Sequence, residues 1–252
     1  MLHTMTYGDD ATAPPILIAH GLFGSARNWG VIARRLAAGR RVLAVDMRNH
    51  GDSPWEERHG YADLAGDLGE VIAAHGGVAD VLGHSMGGKA AMALALGHPD
   101  SVRRLVVADI APVAYGHTQR HLIDAMRAVD LSAVATRRDA DAQLRAAVPE
   151  ESVRAFLLQS LDVSARRWRM NLDALSAEMP AILGWPDPPG RFDGPALFLS
   201  GAASDYVLPD HRPEIRRLFP NAKFAKIPGA GHWLHAEKPR EFEAAVRAFL
   251  SA

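Results

Sequence analysis

Gly83-His84-Ser85-Met86-Gly87-Gly88 stands between an apolar run, Val78-Ala79-Asp80-Val81-Leu82, and a small-residue stretch, Lys89-Ala90-Ala91-Met92-Ala93-Leu94-Ala95-Leu96. The pattern predicts a strand, a tight turn with serine at its apex, and a helix. Such a turn holds the Ser85 hydroxyl clear of its neighbours, where a substrate carbonyl can reach it. The flanking glycines let helix and strand approach, because a Cβ there would clash. A serine so placed becomes a nucleophile only when a base takes its proton. So short a motif also arises by chance, with the serine merely capping a helix, so the rest of the chain has to supply the partners.

The base is expected downstream, on a loop. Gly229-Ala230-Gly231-His232-Trp233-Leu234-His235 offers one, between an apolar run and the last helical pattern. The chain has twelve histidines, so position and not residue type singles out His232. His235 is the weaker candidate and is expected to be structural. The imidazole needs an orienting acid between Ser85 and His232 in chain order. Two aspartates compete. Asp109 ends Val106-Val107-Ala108-Asp109-Ile110-Ala111-Pro112, and Asp205 lies in Gly201-Ala202-Ala203-Ser204-Asp205-Tyr206. Spacing does not separate them. Acyl transfer also needs donors for its oxyanion. The Met86 N–H is one, at the start of the helix. The second is expected in His20-Gly21-Leu22-Phe23-Gly24-Ser25, on Leu22 with Phe23 as the neighbouring alternative.

The polar turn Asp46-Met47-Arg48-Asn49-His50-Gly51-Asp52-Ser53-Pro54 is expected to be structural. Asp46, His50 and Asp52 do not form a recognisable ligand set, and the chain has no cysteine. Neither a metal nor a cofactor is expected.

These groups need a scaffold. Short apolar runs alternate with helical patterns, which predicts a mostly parallel central sheet with helices on both faces. Strands are expected at Pro15 to Ala19, Arg41 to Val45, Val78 to Leu82, Val102 to Ala108, Pro195 to Ser200 and Ala222 to Ile227. Helices are expected after Trp29, from Tyr61 to Ala74, after Ser85, from Pro213 to Phe219 and from Pro239 to Leu250. Residues 115–190 break the alternation. They read as helical and strand-free, too long for a simple crossover, and so as an inserted cap of about three or four helices. The core is then residues 1–114 and 191–252.

At 252 residues with 48% hydrophobic and 23% charged content, the chain fits one globular unit. A net charge of −1 gives no field favouring nucleic acid or an anionic membrane. The first residues lack a basic and apolar leader pattern, and no apolar run reaches the ~18 residues of a membrane span. A cytoplasmic protein without a membrane span or nucleic-acid partner is the expectation.

His20-Gly21, Asp46-x-Arg48-x-His50-Gly51-x-Ser53, the Ser85 turn and Gly229-Ala230-Gly231-His232 occur in an order that resembles the α/β-hydrolase superfamily, across nearly the whole chain. Arg48 to Pro54, Asp109-Ile110-Ala111-Pro112, Trp168 to Leu175 and Gly231 to Pro239 resemble, more narrowly, the YbfF-type esterases and their eukaryotic relatives. The resemblance implies an α/β-hydrolase fold with an inserted helical cap. Three residues after Gly201, where that superfamily usually carries its acid, this chain has Ser204. The resemblance therefore implies that Asp109 is the acid, with Asp205 as rival. It also implies, as an alternative to a plain packing role, that Trp168, Arg169 and Asn171 line or close the substrate entrance.

The expectation is a cofactor-free serine hydrolase cleaving small acyl esters or thioesters through an acyl-enzyme. Two alternatives use the same residues differently: a cofactorless peroxidase or perhydrolase, and a hydrolase-fold binding protein without turnover.

Overall fold

The structure, a computed structural model, describes residues 1–9 and 12–251; residues 10, 11 and 252 of the expected core segments lie outside it. In chain order the elements begin with β1 (Thr4–Tyr7), β2 (Ile16–Ala19), α1 (Gly30–Leu36), β3 (Val42–Val45), α2 (Tyr61–Ala74), β4 (Ala79–His84), α3 (Met86–Gly97) and β5 (Val102–Ala108). Residues 115–190 follow, with α4 (Arg120–Arg127), α5 (Arg137–Leu144), α6 (Glu151–Leu157), β6 (Leu161–Asp162), β7 (Arg167–Trp168), α7 (Leu172–Ala177) and α8 (Met179–Leu183). The chain closes with β8 (Ala196–Gly201), α9 (Arg212–Leu218), β9 (Ala222–Ile227), α10 (Leu234–Glu237) and α11 (Pro239–Leu250).

Seven strands form one sheet in the order β1-β3-β2-β4-β5-β8-β9. β1 runs antiparallel to β3 and every other neighbouring pair is parallel. Continuous apolar runs suit this position, because strands covered on both faces bury every side chain. All four residues of β2 and of β3 and all six of β4 are buried. Alternate side chains serve two cores. Leu17, Ala19, Leu43 and Val45 pack with α2, α3 and the insertion, whereas Ile16, Ile18, Val42 and Ala44 pack with α1 and α11. Burial of each large aliphatic side chain contributes about 1.5–3 kcal/mol, so the helical faces Leu64-Leu68-Val71 and Phe242-Val246 secure the layers strongly.

Two expectations change. β1 escapes the sequence reading because its four residues, none of them fully buried, carry little alternation. Residues 115–190 are not strand-free: β6 and β7 form a small antiparallel hairpin, and this stretch holds five short α-helices, not three or four. Trp168 accordingly lies on a strand, and Asn171 is the N-cap of α7, accepting the Ala174 N–H at 3.2 Å. Two-residue strands have no periodicity to detect.

The loops after β2, β4, β5, β8 and β9 all leave the carboxyl edge of the sheet. β2 lies between β3 and β4, so successive crossovers diverge there and open a crevice at that edge.

Candidate active site

Ser85 sits between β4 and α3 with φ 52° and ψ −119°, a left-handed backbone that costs a residue with a Cβ on the order of 1–3 kcal/mol. The surroundings enforce it. Its N–H donates to the Ala108 carbonyl at 3.0 Å, and its own carbonyl accepts the Lys89 N–H at 3.0 Å. The flanking glycines are obligatory. A Cβ on Gly83 would come within 2.2 Å of the Gly87 carbonyl oxygen, and one on Gly87 within 2.3 Å of the Ala19 carbonyl oxygen.

The Ser85 hydroxyl lies 3.0 Å from His232 Nε2, and His232 Nδ1 lies 2.7 Å from Asp109 Oδ2. An ionised carboxylate only accepts, so Nδ1 carries the proton and Nε2 is left to accept from Ser85 Oγ–H. Asp109 is fully buried, yet its charge is met by three donors. Oδ1 accepts the Gly201 N–H at 3.0 Å, and Oδ2 accepts the Ser204 hydroxyl at 2.5 Å as well as the imidazole. Asp109 also has a left-handed backbone, φ 52°, with its N–H on the Leu199 carbonyl at 2.9 Å. The rival Asp205 is exposed and not hydrogen-bonded to His232.

Ser204, which stands where the superfamily usually carries its acid, is a donor to the buried acid. Tyr206 was not foreseen. Its ring stacks on the imidazole with centroids 3.9 Å apart and planes 18° apart. Neither has a local signal, since each acts across the sheet edge from the loop after β8.

The oxyanion candidates separate on hydrogen bonding. Phe23, at φ 64°, donates its N–H to His50 Nε2 at 3.2 Å. That engagement removes it as a free donor and pins the loop. Among the described residues the N–H of Leu22, and that of Met86 at the start of α3, meet no acceptor within the chain. Both residues line the cavity containing Ser85 and His232.

The turn after β3 braces this loop. His50 Nδ1–H donates to the Arg48 carbonyl at 2.9 Å, and Arg48 forks onto Asp67 of α2 at 2.5 and 2.8 Å. His20 donates from Nδ1 to the Gly21 carbonyl at 2.8 Å and accepts the Met47 N–H at Nε2, 2.9 Å. Asp46 and Asp52 meet His3, not His50, with ligand atoms within 4.8 Å of one another. Both Asp46 carboxylate oxygens already accept backbone N–H groups, from Ala26 at 2.7 Å and Asp52 at 2.9 Å.

Burial keeps these imidazoles neutral. Loss of hydration holds His20 down at about 4 and His50 and His235 at about 3, against an ordinary 6.5. His84 and His59 are lowered for the same reason. Because the folded values lie below the unfolded one, falling pH protonates the unfolded chain first. The stability is therefore whole above pH 6.5 and is lost progressively down to the folded values, 3 to 4. Each ring removes on the order of 1 kcal/mol per pH unit in that window. Tm should fall steeply between pH 6.5 and about pH 5, where most carboxylates remain ionised. A flat melting profile there would show that these rings are not held neutral.

His235 stacks on Trp29, centroids 4.2 Å apart, and makes no hydrogen bond to Ser85, in keeping with a structural role. Of the two roles open to Trp168, Arg169 and Asn171, the structure favours packing over lining the entrance. Trp168 is buried and donates from Nε1 to the Met126 carbonyl at 2.9 Å, Arg169 pairs with Asp52, and Asn171 caps α7. None of them reaches the cavity of about 310 Å³ around Ser85.

A strand-turn-helix serine, a histidine after the last strand and a doubly wound sheet in this order define the α/β hydrolases, and the chain belongs to that family: residues 14–239 match the model of the alpha/beta hydrolase fold. Within it the chain falls in the YbfF-type group. It is 43% identical to "Esterase YbfF" of Escherichia coli (strain K12) over 240 residues, 94% of this chain and 93% of the relative. It is 46% identical to the mouse (Mus musculus) "sn-1-specific diacylglycerol lipase ABHD11" over 253 residues, 96% of this chain and 82% of the relative. A solved structure described as "Marine microorganism esterase" superposes with a TM-score of 0.93 at 37% identity, covering 98% of each chain. No helix among the described residues is long and apolar enough to cross a membrane.

Proposed function

We propose that this carboxylic ester hydrolase works through a Ser85-His232-Asp109 triad and an acyl-enzyme intermediate. The observation that carries the reading is the continuous relay of Ser85 Oγ to His232 Nε2 at 3.0 Å and His232 Nδ1 to Asp109 Oδ2 at 2.7 Å. Ser85 Oγ attacks the acyl carbonyl while His232 Nε2 takes its proton. Asp109 stabilises the imidazolium and holds the productive tautomer. The Met86 and Leu22 N–H groups receive the oxyanion. His232 then protonates the departing alcohol or thiol, leaving an ester on Ser85. Water, deprotonated by His232, attacks that ester, and the carboxylic acid leaves with Ser85 restored.

Residues 115–190 act as the cap, contributing Leu122, Val153, Phe156, Ile182 and Leu183 to the cavity wall over the core segments. The wall is largely apolar, suited to an acyl chain, and the names of the relatives favour oxygen esters over thioesters. Incubation with an alkyl fluorophosphonate, followed by peptide mass spectrometry, is expected to place one phosphonyl adduct on Ser85. Acyl ester and acyl thioester panels then rank the leaving groups. Failure to label Ser85 in folded protein would overturn the nucleophile assignment and favour a binding protein without turnover.

A further inference from the structure

Lys89 is the one charged residue in α3, and its side chain is buried, with 1% of the residue exposed. It belongs to none of the proposed catalytic steps. Its ammonium donates to two carbonyls of the cap's exit, Leu183 O at 2.9 Å and Gly184 O at 2.6 Å. The faces of Tyr115 and Tyr61 flank it at 4.8 and 5.6 Å. No ion pair with a carboxylate is found for it among the described residues. Burial alone pushes its pKa down, to about 7. An ammonium in that setting is expensive unless its donors are used, and its removal leaves their acceptors unpaired.

The acceptors themselves are telling. The last carbonyls of a helix have no partner within it and form its negative end. α8 ends at Leu183, and four hydrogen bonds from three outside groups gather on that end. Besides the two bonds from Lys89, Tyr61 Oη donates to Ile182 O at 2.5 Å and the Tyr115 N–H to Leu183 O at 3.0 Å. Ile182 and Leu183 line the same cavity as Ser85. Lys89 stands one turn beyond Ser85 on the same helix, roughly 6 Å along its axis. The side chain that ties the cap wall down therefore rises from the helix that presents the nucleophile.

We propose that Lys89 sets the acyl length this enzyme accepts, by pinning α8 of the cap across the end of the cavity so that Ile182 and Leu183 stop the chain. The proposal rests on the reading that the cavity receives the acyl group. It makes Lys89 a positioning residue acting through α8, with no contact to the reacting atoms.

The test measures kcat and KM for p-nitrophenyl butanoate, octanoate and dodecanoate with the wild type, K89M, K89R and L183A. Methionine keeps most of the length and the apolar bulk of lysine and removes its donors. In K89M the ratio of kcat/KM for dodecanoate to that for butanoate should rise at least about tenfold, the scale on which an apolar pocket discriminates methylenes. The rise should come mainly through KM. K89R keeps charge and donors and should retain the wild-type ratio. L183A opens the stop without touching the lysine and should shift the ratio in the same direction. An unchanged ratio in folded K89M, or a K89R that behaves like K89M, overturns the proposal. If K89M does not fold, K89R and L183A decide together: a K89R that changes the ratio, or an L183A that leaves it unchanged, overturns the proposal. Fluorophosphonate labelling of every variant reports separately on the nucleophile, so a failure of the esterase mechanism is not mistaken for a failure of the length rule.

Discussion

Ser85→Ala should lower kcat for a p-nitrophenyl ester by about 10⁶-fold and leave the protein folded. Triad members act as a unit, so loss of the nucleophile removes nearly everything they do together, and what remains is the contribution of binding and the oxyanion donors. The fold should persist because the turn is held by backbone groups and by Gly83 and Gly87, and not by the hydroxyl. The Ser85 N–H to Ala108 and the Lys89 N–H to Ser85 bonds are untouched by the substitution. Alanine tolerates the φ of 52° no better than serine, so stability should change by no more than about 1 kcal/mol. Turnover near the wild-type level with an unchanged melt would remove Ser85 from the mechanism.

The second large effect separates two aspartates. Asp109→Asn should reduce kcat by about 10⁴-fold, because an amide at this position offers His232 Nδ1 an N–H as readily as an acceptor and stabilises the wrong tautomer. It also removes the negative charge hydrogen-bonded to the developing imidazolium. The backbone should survive, since the remaining carbonyl oxygen can still accept the Gly201 N–H now held at 3.0 Å. Asp205→Asn, at an exposed position, should stay within about twofold of wild type. Both variants are read from initial rates with the same ester, and a larger loss at Asp205 would reassign the acid.

Much of the scaffold was legible because local residue types encode it. The continuous apolar runs of β2 and β3 and the period of α2 and α11 carry their own signals. The Gly83-x-Ser85-x-Gly87 turn is equally local: small residues permit the approach of helix to strand, and no other part of the chain is needed to see it. The hairpin at β6 and β7 was invisible for the opposite reason, since two residues per strand leave no period. Lys89 did leave a trace, a single cation in a helix of small apolar residues. Its meaning lies in Leu183 and Gly184, nearly a hundred positions away.

The sequence by itself determined the nucleophile and the base as candidates, the family, and the mostly parallel sheet that carries them. Only the tertiary structure brought Asp109 and not Asp205 to His232, committed the Phe23 N–H to His50, and put Ser204 on the buried acid. The physical reason is the sheet order. β4, β5, β8 and β9 are neighbours, so the loops after them meet at one edge. Which of two aspartates in those loops faces inward depends on backbone direction, a left-handed residue at Asp109 held by Leu199 and an exposed one at Asp205. Chain order ranks the two alike, whereas burial and hydrogen bonding do not.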